Sequence, residues 1–217
     1  MLSYFKKARE PMSSYTHFWG IVFSVFATAA MVVLHLWGGD PSGATLVSAL
    51  VFGGSMVALY SASSYYHYYN GPVRRQEWLR KLDHSMIYVL IAGSYTPICI
   101  KFMPQGHGLR FALAMWAIAG AGILVKLGWM NAPRWLYTGL YLLMGWAIVF
   151  DAGALASLPM GAFLLLLGGG LCYTVGAVFY IIKRPNLSAE FGFHELFHLC
   201  ILAGTFLHVL TVLCYVM

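Results

Sequence analysis

The stretch that decides the fold is residues 194–216, HELFHLCILAGTFLHVLTVLCYV. After Glu195 it contains no acidic residue, lysine or arginine. A helix of about 20 mainly apolar residues crosses the hydrocarbon core of a bilayer. The stretch therefore predicts a membrane-spanning helix. The first turns of this helix carry two histidines, His194 and His198, on one face.

The rest of the chain has the same character. Of its 217 residues, 60% are hydrophobic and only 9% are charged, whereas about 25% of residues are charged in a soluble domain. We predict one integral membrane domain over residues 1–217, with residues 1–17 as a cytoplasmic lead-in. The formal net charge of +6 does not indicate a nucleic-acid partner, because the basic residues lie between the apolar stretches.

Seven stretches are long and apolar enough to be spans: about 18–37, 44–67, 84–102, 109–127, 135–150, 159–182 and 194–216. Lipid offers backbone groups no hydrogen-bond partner, so these spans should be helices. The predicted fold class is an all-α bundle of seven transmembrane helices. No internal repeat is visible, which disfavours an inverted-repeat transporter.

The lysines and arginines predict the orientation of the bundle. If the N-terminus is cytoplasmic, only Lys101 and Arg110 of the 13 basic residues lie outside. The other eleven are Lys6, Lys7, Arg9, Arg74, Arg75, Arg80, Lys81, Lys126, Arg134, Lys183 and Arg184. Basic residues prefer cytoplasmic segments. We therefore predict a cytoplasmic N-terminus and, after seven spans, a C-terminus outside.

This orientation brings five polar side chains to the inner ends of three spans. Ser63 and His67 end the second span, Asp83 begins the third, and His194 and His198 begin the seventh. Three imidazoles can supply three zinc ligands and leave a fourth position for water. The carboxylate could hold or deprotonate that water, with the hydroxyl beside it. Three imidazoles would also accept copper, nickel or iron.

Each of these residues also has an ordinary structural explanation. A histidine in a span is often a polar contact between helices, and Asp83 could simply favour a helix N-terminus. Ionisable groups in spans are costly and tend to mark function. Several of them at one predicted depth therefore favour a metal site.

Three other histidines are interpreted separately. His208 lies 14 residues after His194, about 21 Å further along a helix, so it cannot share the same metal and is expected to form an interhelical contact. His17 precedes the first span on the inner side, close to the site. His107 falls in an outer loop and is expected to be solvated.

The string HELFH matches the metalloprotease pattern H-E-x-x-H, but the rest of a protease site is missing. No acidic residue follows Glu195, and Ile201 and Gly204 occupy the positions where an extended zincin motif has glycine and histidine. We interpret Glu195 as a carboxylate in the first turn of a helix.

Several motifs together resemble the hemolysin III family, which is grouped with the progestin and adipoQ receptors and, more distantly, with the alkaline ceramidases. They are Ser63-x-x-x-His67, Leu82-Asp83-His84, residues 91–97 (IAGSYTP), His194-x-x-x-His198 and His208. The match covers nearly the whole chain. The lead-in Glu10…His17 is also similar, although Ser13 stands where asparagine is usual.

The resemblance implies a zinc ion held by His67, His194 and His198, with Asp83 near its water and Ser63 beside it. It suggests a zinc-dependent hydrolase that acts on a lipid amide or ester at the inner side of the membrane. One alternative is a non-enzymatic protein of membrane homeostasis or signalling, in which zinc clamps the second and seventh spans together. A pore-forming hemolysin or channel is less favoured, because no charged ring is visible.

We expect a multi-pass protein of the bacterial inner membrane, with a membrane lipid as its substrate or ligand. The sequence does not give the oligomeric state.

Overall fold

Long helices account for most of the chain. The computed structural model describes residues 2–38, 42–104, 106–129, 131–188 and 190–217. The helices are α1 Leu2–Phe5, α2 Pro11–Trp37, α3 Gly43–Tyr68, α4 Val73–Phe102, α5 His107–Gly128, α6 Arg134–Gly145, α7 Ala152–Ala156, α8 Met160–Ile182 and α9 Phe193–Thr211. A 3₁₀ turn, Ala147–Phe150, follows α6, and a π-helical turn, Val212–Val216, follows α9. The described residues contain no strand, so the all-α fold class is confirmed.

Six of the described helices are long and apolar enough to cross a membrane: α2, α3, α4, α5, α8 and α9 with its terminal turn. Their outward faces carry large apolar side chains that are more than half exposed, such as Phe26, Leu124 and Leu164. Large exposed apolar surfaces are unusual on a soluble monomer. A lipid environment explains them.

Two helices begin well before the predicted spans. α2 begins at Pro11 instead of near residue 18, and α4 begins at Val73 instead of near residue 84. Hydropathy detects only the part of a helix that suits the hydrocarbon core, whereas these helices continue into polar sequence. Proline suits the first position of a helix because it needs no N–H there. Most of the lead-in predicted over residues 1–17 is therefore helical, and the part of it that belongs to α2 has four buried residues: Ser13, Ser14, Thr16 and His17.

The segment predicted as one span over about 135–150 is interrupted. α6 ends at Gly145, and the 3₁₀ turn and α7 continue from there. The hydroxyl of Tyr95, on α4, donates to the Gly145 carbonyl over 2.8 Å and accepts from the Ile148 N–H over 3.1 Å. These bonds satisfy backbone groups that the break leaves free. Among the described helices, six regular ones therefore meet the expected length, and seven had been predicted.

The interrupted segment contacts α5 near both ends of that helix. Near the end of α5, the Lys126 ammonium lies 3.5 Å from the centre of the Tyr137 ring. At the start of α5, His107 Nε2 lies 2.6 Å from Asp151 Oδ2. The expectation that His107 is only solvated is therefore wrong, because the 3₁₀ turn brings a carboxylate to it.

α3 and α4 form the centre of the bundle. Half of the most apolar window of each helix is buried, compared with 22% for α2, α5 and α8. α2 packs closely on α3 where Gly20 meets the Tyr60 ring, since a Cβ at this glycine would lie 2.6 Å from that ring. Small residues allow such close contacts between membrane helices. The central position of α3 places its last turn, with His67, inside the bundle.

Candidate metal centre

Three histidines meet where α3 ends and α9 begins. His67 lies in the last turn of α3, and His194 and His198 lie one turn apart at the start of α9. The potential ligand nitrogens of this histidine cluster all lie within 4.8 Å of one another. The Nε2 atoms of His67 and His194 are 3.4 Å apart. His67 and His198 are each only 2% exposed, so the cluster is shielded from bulk solvent.

The geometry of the cluster suits a tetrahedral metal ion. Zn–N bonds of about 2.0–2.1 Å at tetrahedral angles separate two ligand nitrogens by about 3.3 Å. The observed 3.4 Å between His67 and His194 is close to this value. Three imidazoles would occupy three positions of a tetrahedral ion and leave the fourth for a non-protein ligand. The residues present therefore fit a zinc ion of the catalytic type.

Glu10 holds the His67 ring in place from outside the cluster. Its Oε2 forms a short hydrogen bond with His67 Nδ1, which leaves Nε2 facing the other histidines. The Glu10 N–H donates to the His67 carbonyl over 3.1 Å, and Arg9 Nε donates to Glu10 Oε1 over 3.1 Å. Histidines that bind metals commonly donate their second N–H to a carboxylate in this way, which fixes the ring and increases its basicity.

The same contacts keep Glu10 ionised. Burial alone would raise the pKa of this carboxyl group, but the hydrogen bond and charge of His67, together with Arg9, lower the pKa to about 2. An ionised acceptor forms a stronger hydrogen bond than a neutral one. Glu10 is therefore a negative group at neutral pH next to the proposed ligand His67.

α2 covers the third histidine. The rings of His17 and His198 stack with their centres 3.6 Å apart, and Thr16 Oγ1 lies 3.5 Å from His198 Nδ1. These contacts orient the His198 ring and leave its Nε2 for the cluster. His17 is only 3% exposed, and its nitrogens have no hydrogen-bond partner among the described residues.

The two other predicted site residues lie beside the cluster. Asp83 is in α4 and lines the same internal space as Ser63, His194 and His198. Ser63 is one turn before His67 on α3 and is only 2% exposed. The structure thus brings all five predicted residues to one place, although metal binding and catalysis by them remain predictions.

Two cavities meet at this site. An apolar cavity of about 440 Å³ is lined by Ser63, His194 and His198 near the cluster and extends to His208. A polar vestibule of about 550 Å³ is lined by both acidic and basic side chains. Five residues line both spaces: Asp83, His84, Tyr137, Tyr180 and His194. A molecule with a polar head and an apolar tail could therefore lie across the site.

Glu195 and His208 lie outside the cluster. Glu195 accepts the Gly192 N–H over 2.9 Å and the Ser13 hydroxyl over 2.6 Å. It therefore caps α9 and attaches it to α2, in agreement with its predicted place in the first turn. His208 packs edge-on against Tyr173, with ring centres 5.3 Å apart, at the far end of the apolar cavity.

Sequence reasoning did not assign Glu10 and Thr16 to the site. The lead-in resemblance includes Glu10 but implies no role for it. The available signal was an acidic residue, Glu10, seven residues before His17. This signal could not predict the contact between Glu10 and His67, because that contact depends on how the lead-in packs against the end of α3.

Comparison with known proteins identifies the family of the chain, and the matched residues include the site. The family model described as Haemolysin-III related matches residues 5–209. The Hemolysin-3 homolog of Bacillus subtilis (strain 168) is 33% identical over 198 residues, which cover 90% of this chain and 89% of the relative. Hemolysin-3 of Bacillus cereus is 31% identical over 209 residues, which cover 96% of this chain and 92% of the relative. The chain therefore belongs to the Haemolysin-III related family and is a multi-pass protein of the bacterial cell membrane.

Proposed function

We propose that this chain is a zinc-dependent hydrolase that cleaves a lipid amide or ester at the inner side of the membrane. One observation carries the proposal: three imidazoles converge beside Asp83 at the junction of an apolar cavity and a polar vestibule. His67, His194 and His198 would hold the ion.

The proposed topology has seven crossings, with the N-terminus inside. The interrupted segment counts as the fifth crossing, because it contacts α5 near both ends of that helix, at Lys126 and at His107. The distribution of basic residues supports the orientation, since eleven of the 13 lysines and arginines then lie on the inner side. The histidine cluster lies at that same side.

A zinc ion with three imidazole ligands lowers the pKa of its bound water to about 7 and polarises a carbonyl group. Asp83 is placed to accept the proton of the attacking water and to pass it to the leaving amine or alcohol. The Ser63 hydroxyl can orient the Asp83 carboxylate or donate a hydrogen bond to the oxygen that becomes negative. Glu10 keeps the His67 ring in its ligand orientation.

The apolar cavity suits one acyl chain. Its walls are mainly leucine, isoleucine and aromatic side chains, including Leu59, Leu90 and Ile201. It extends from the histidine cluster to His208, about 21 Å along α9 by helix rise. A carbonyl group at the cluster would leave this space for the chain attached to it.

The test is lipid hydrolysis by the detergent-purified, zinc-loaded chain. We expect release of fatty acid from at least one member of a panel of ceramides and glycerolipids. Asp83→Asn should lower the rate by about 100-fold or more while zinc stays bound, and Glu77→Gln, at an exposed position on α4, should not change it. Absence of release from the whole panel would contradict the proposal.

A structural role for zinc is the second candidate, and one observation favours it. The proposed ligands come from both α3, which carries His67, and α9, which carries His194 and His198. An ion held by His67 and His194 would therefore fasten two helices that are far apart in sequence. In that case a chelator should lower the melting temperature, and no lipid should be turned over.

A further inference from the structure

The vestibule has charged side chains of both signs. Its acidic residues are Glu10, Asp83 and Glu195, and its basic residues are Arg80, Lys126 and Arg134. Two of the carboxylates already have partners, because Glu10 is bonded to His67 and Arg9 and Glu195 is bonded to Ser13 and Gly192. The vestibule therefore holds few free anionic groups for its cations.

Lys126 is the most unusual of these cations. It is only 3% exposed, and its Nζ has no hydrogen-bond partner among the residues described. The face of the Tyr137 ring lies 3.5 Å from the ammonium, and a cation–π contact offsets only part of the cost of burying a charge. An ammonium group can donate three hydrogen bonds, and Lys126 donates none to the residues that the structure describes.

Two nitrogen atoms on α4 that also line the vestibule have no hydrogen-bond partner among the described residues. Arg80 Nε and His84 Nδ1 are buried without a hydrogen-bond partner in the described part of the chain, and both residues line the vestibule with Lys126. Arg80, His84 and Lys126 thus line one cavity, and none of these three nitrogen atoms has a partner among the residues described. Arg134 is already used, since it donates to the Tyr180 carbonyl over 3.0 Å.

The positive-inside tendency of membrane proteins does not account for this arrangement. That tendency requires only basic residues in cytoplasmic segments, where solvated side chains such as Arg74 satisfy it. An ammonium and a guanidinium that line the same cavity repel each other, and they are tolerated best when an anion lies between them. A phosphate group presents several acceptor oxygens and suits such a pair.

We propose that Lys126 and Arg80, with His84 beside them, bind the phosphate group of an anionic glycerophospholipid in the vestibule. The five residues shared with the apolar cavity would let an acyl chain of the same molecule enter that cavity. The proposal rests on the proposed function in one respect, because it assigns the head group of the same lipid substrate. Free phosphate shares this chemistry, and the experiment separates the two sources.

The experiment measures lipid binding to the full-length chain in detergent micelles by native mass spectrometry. Dioleoyl phosphatidylglycerol and dioleoylglycerol, which has the same acyl chains but no phosphate group, are titrated against wild type, Lys126→Met, Arg80→Gln and the control Arg74→Gln, which removes an exposed charge from the same end of α4. We expect wild type and the control to prefer phosphatidylglycerol. Lys126→Met and Arg80→Gln should each weaken its binding by about 10-fold.

A melting curve in lipid-free micelles accompanies each titration. Removing a buried charge without a partner should leave the melting temperature of Lys126→Met unchanged or higher, whereas the rise caused by phosphatidylglycerol should be lost. If Lys126→Met does not fold, the lysine has a structural role and the proposal is wrong for this residue. Binding of phosphatidylglycerol by Arg80→Gln then tests whether the vestibule holds the phosphate group. Equal affinity of wild type for the two lipids would overturn the proposal.

Inorganic phosphate distinguishes the two sources of the ligand. Displacement of phosphatidylglycerol by millimolar phosphate would assign recognition to the phosphate group alone, and a failure to displace it would assign recognition to the intact lipid. Hydrolysis is measured separately. Loss of lipid preference with hydrolysis intact would overturn only the head-group site, whereas preference without hydrolysis would support the site and contradict the enzyme.

Discussion

Glu10 provides a sharp test of how the metal centre is supported. The side chain bonds to His67 Nδ1 and its backbone N–H donates to the His67 carbonyl. Glu10→Gln keeps the shape and the backbone contact but removes the charge that fixes the ring. Glu10→Ala removes the acceptor as well. Neither change touches an atom that would bind zinc.

The expected magnitude follows from the role of such partners. Loss of a carboxylate that supports a metal-binding histidine weakens metal affinity by about 10- to 100-fold, which corresponds to about 1.4–2.7 kcal/mol. We expect Glu10→Ala near the upper value, because His67 Nδ1 then has no acceptor. Glu10→Gln should lie near the lower value, because its amide oxygen can still accept a neutral hydrogen bond.

The assay is competition for zinc between the purified chain and a chelator of known affinity. The matched control is Glu77→Gln, an exposed carboxylate on α4 outside the site, and it should bind zinc as wild type does. Zinc affinities of Glu10→Gln and Glu10→Ala that equal wild type, while His67→Ala loses zinc, would refute the reasoning. The contact would then position the lead-in without supporting the metal.

The remaining predictions concern the packing of the bundle, and each is measured by thermal or denaturant unfolding in micelles. Gly108→Ala should lower the free energy of unfolding by about 1–3 kcal/mol, because a Cβ there would overlap the carbonyl oxygen of Cys99 on α4. The control Gly120→Ala lies in open space on the same helix and should be neutral or raise that free energy by up to about 1 kcal/mol. Equal effects of the two substitutions would contradict the close approach of α4 and α5. Tyr95→Phe should cost about 1–3 kcal/mol, because two backbone groups at the break after α6 lose their partner. Tyr88→Phe removes a hydroxyl that bonds to no described residue, and a cost as large as that of Tyr95→Phe would contradict this account of the break.

Much of the bundle could be predicted from local features of the sequence. A span is recognised from about 20 apolar residues, and histidines four apart share a face of a helix. Alternating the direction of the spans is then enough to group His67, Asp83 and His194 at one end. This inference does not require side-chain geometry, so it is correct even though the predicted starts of α2 and α4 were wrong.

The interruption in the predicted fifth span could not be derived in this way. It depends on the hydroxyl of Tyr95, about 50 residues earlier in the chain, which supplies hydrogen bonds to the backbone around Gly145. Hydropathy averages over a window and does not distinguish a regular helix from two shorter pieces. The same limitation hid the contact between His107 and Asp151, since the 3₁₀ turn determines where that carboxylate lies.

The supporting residues of the site were also beyond local patterns. Glu10 and Thr16 reach the cluster because the lead-in continues α2 as a helix and crosses the end of α3. Their hydropathy assigned them to a polar tail. Lys126 was counted only as an inner-side cation, and its burial depends on the packing of α5 against α6.

Metal content tests the central claim most directly. Elemental mass spectrometry on detergent-purified protein should find about one zinc per chain, as expected for a site with three histidine ligands. His67→Ala and His194→Ala should lose the zinc, whereas Asp83→Ala should largely keep it. The control His107→Ala changes a histidine at the start of α5, outside the cluster, and should keep the zinc fully. Folded wild-type protein without metal, or zinc retained in both cluster variants, would contradict the account.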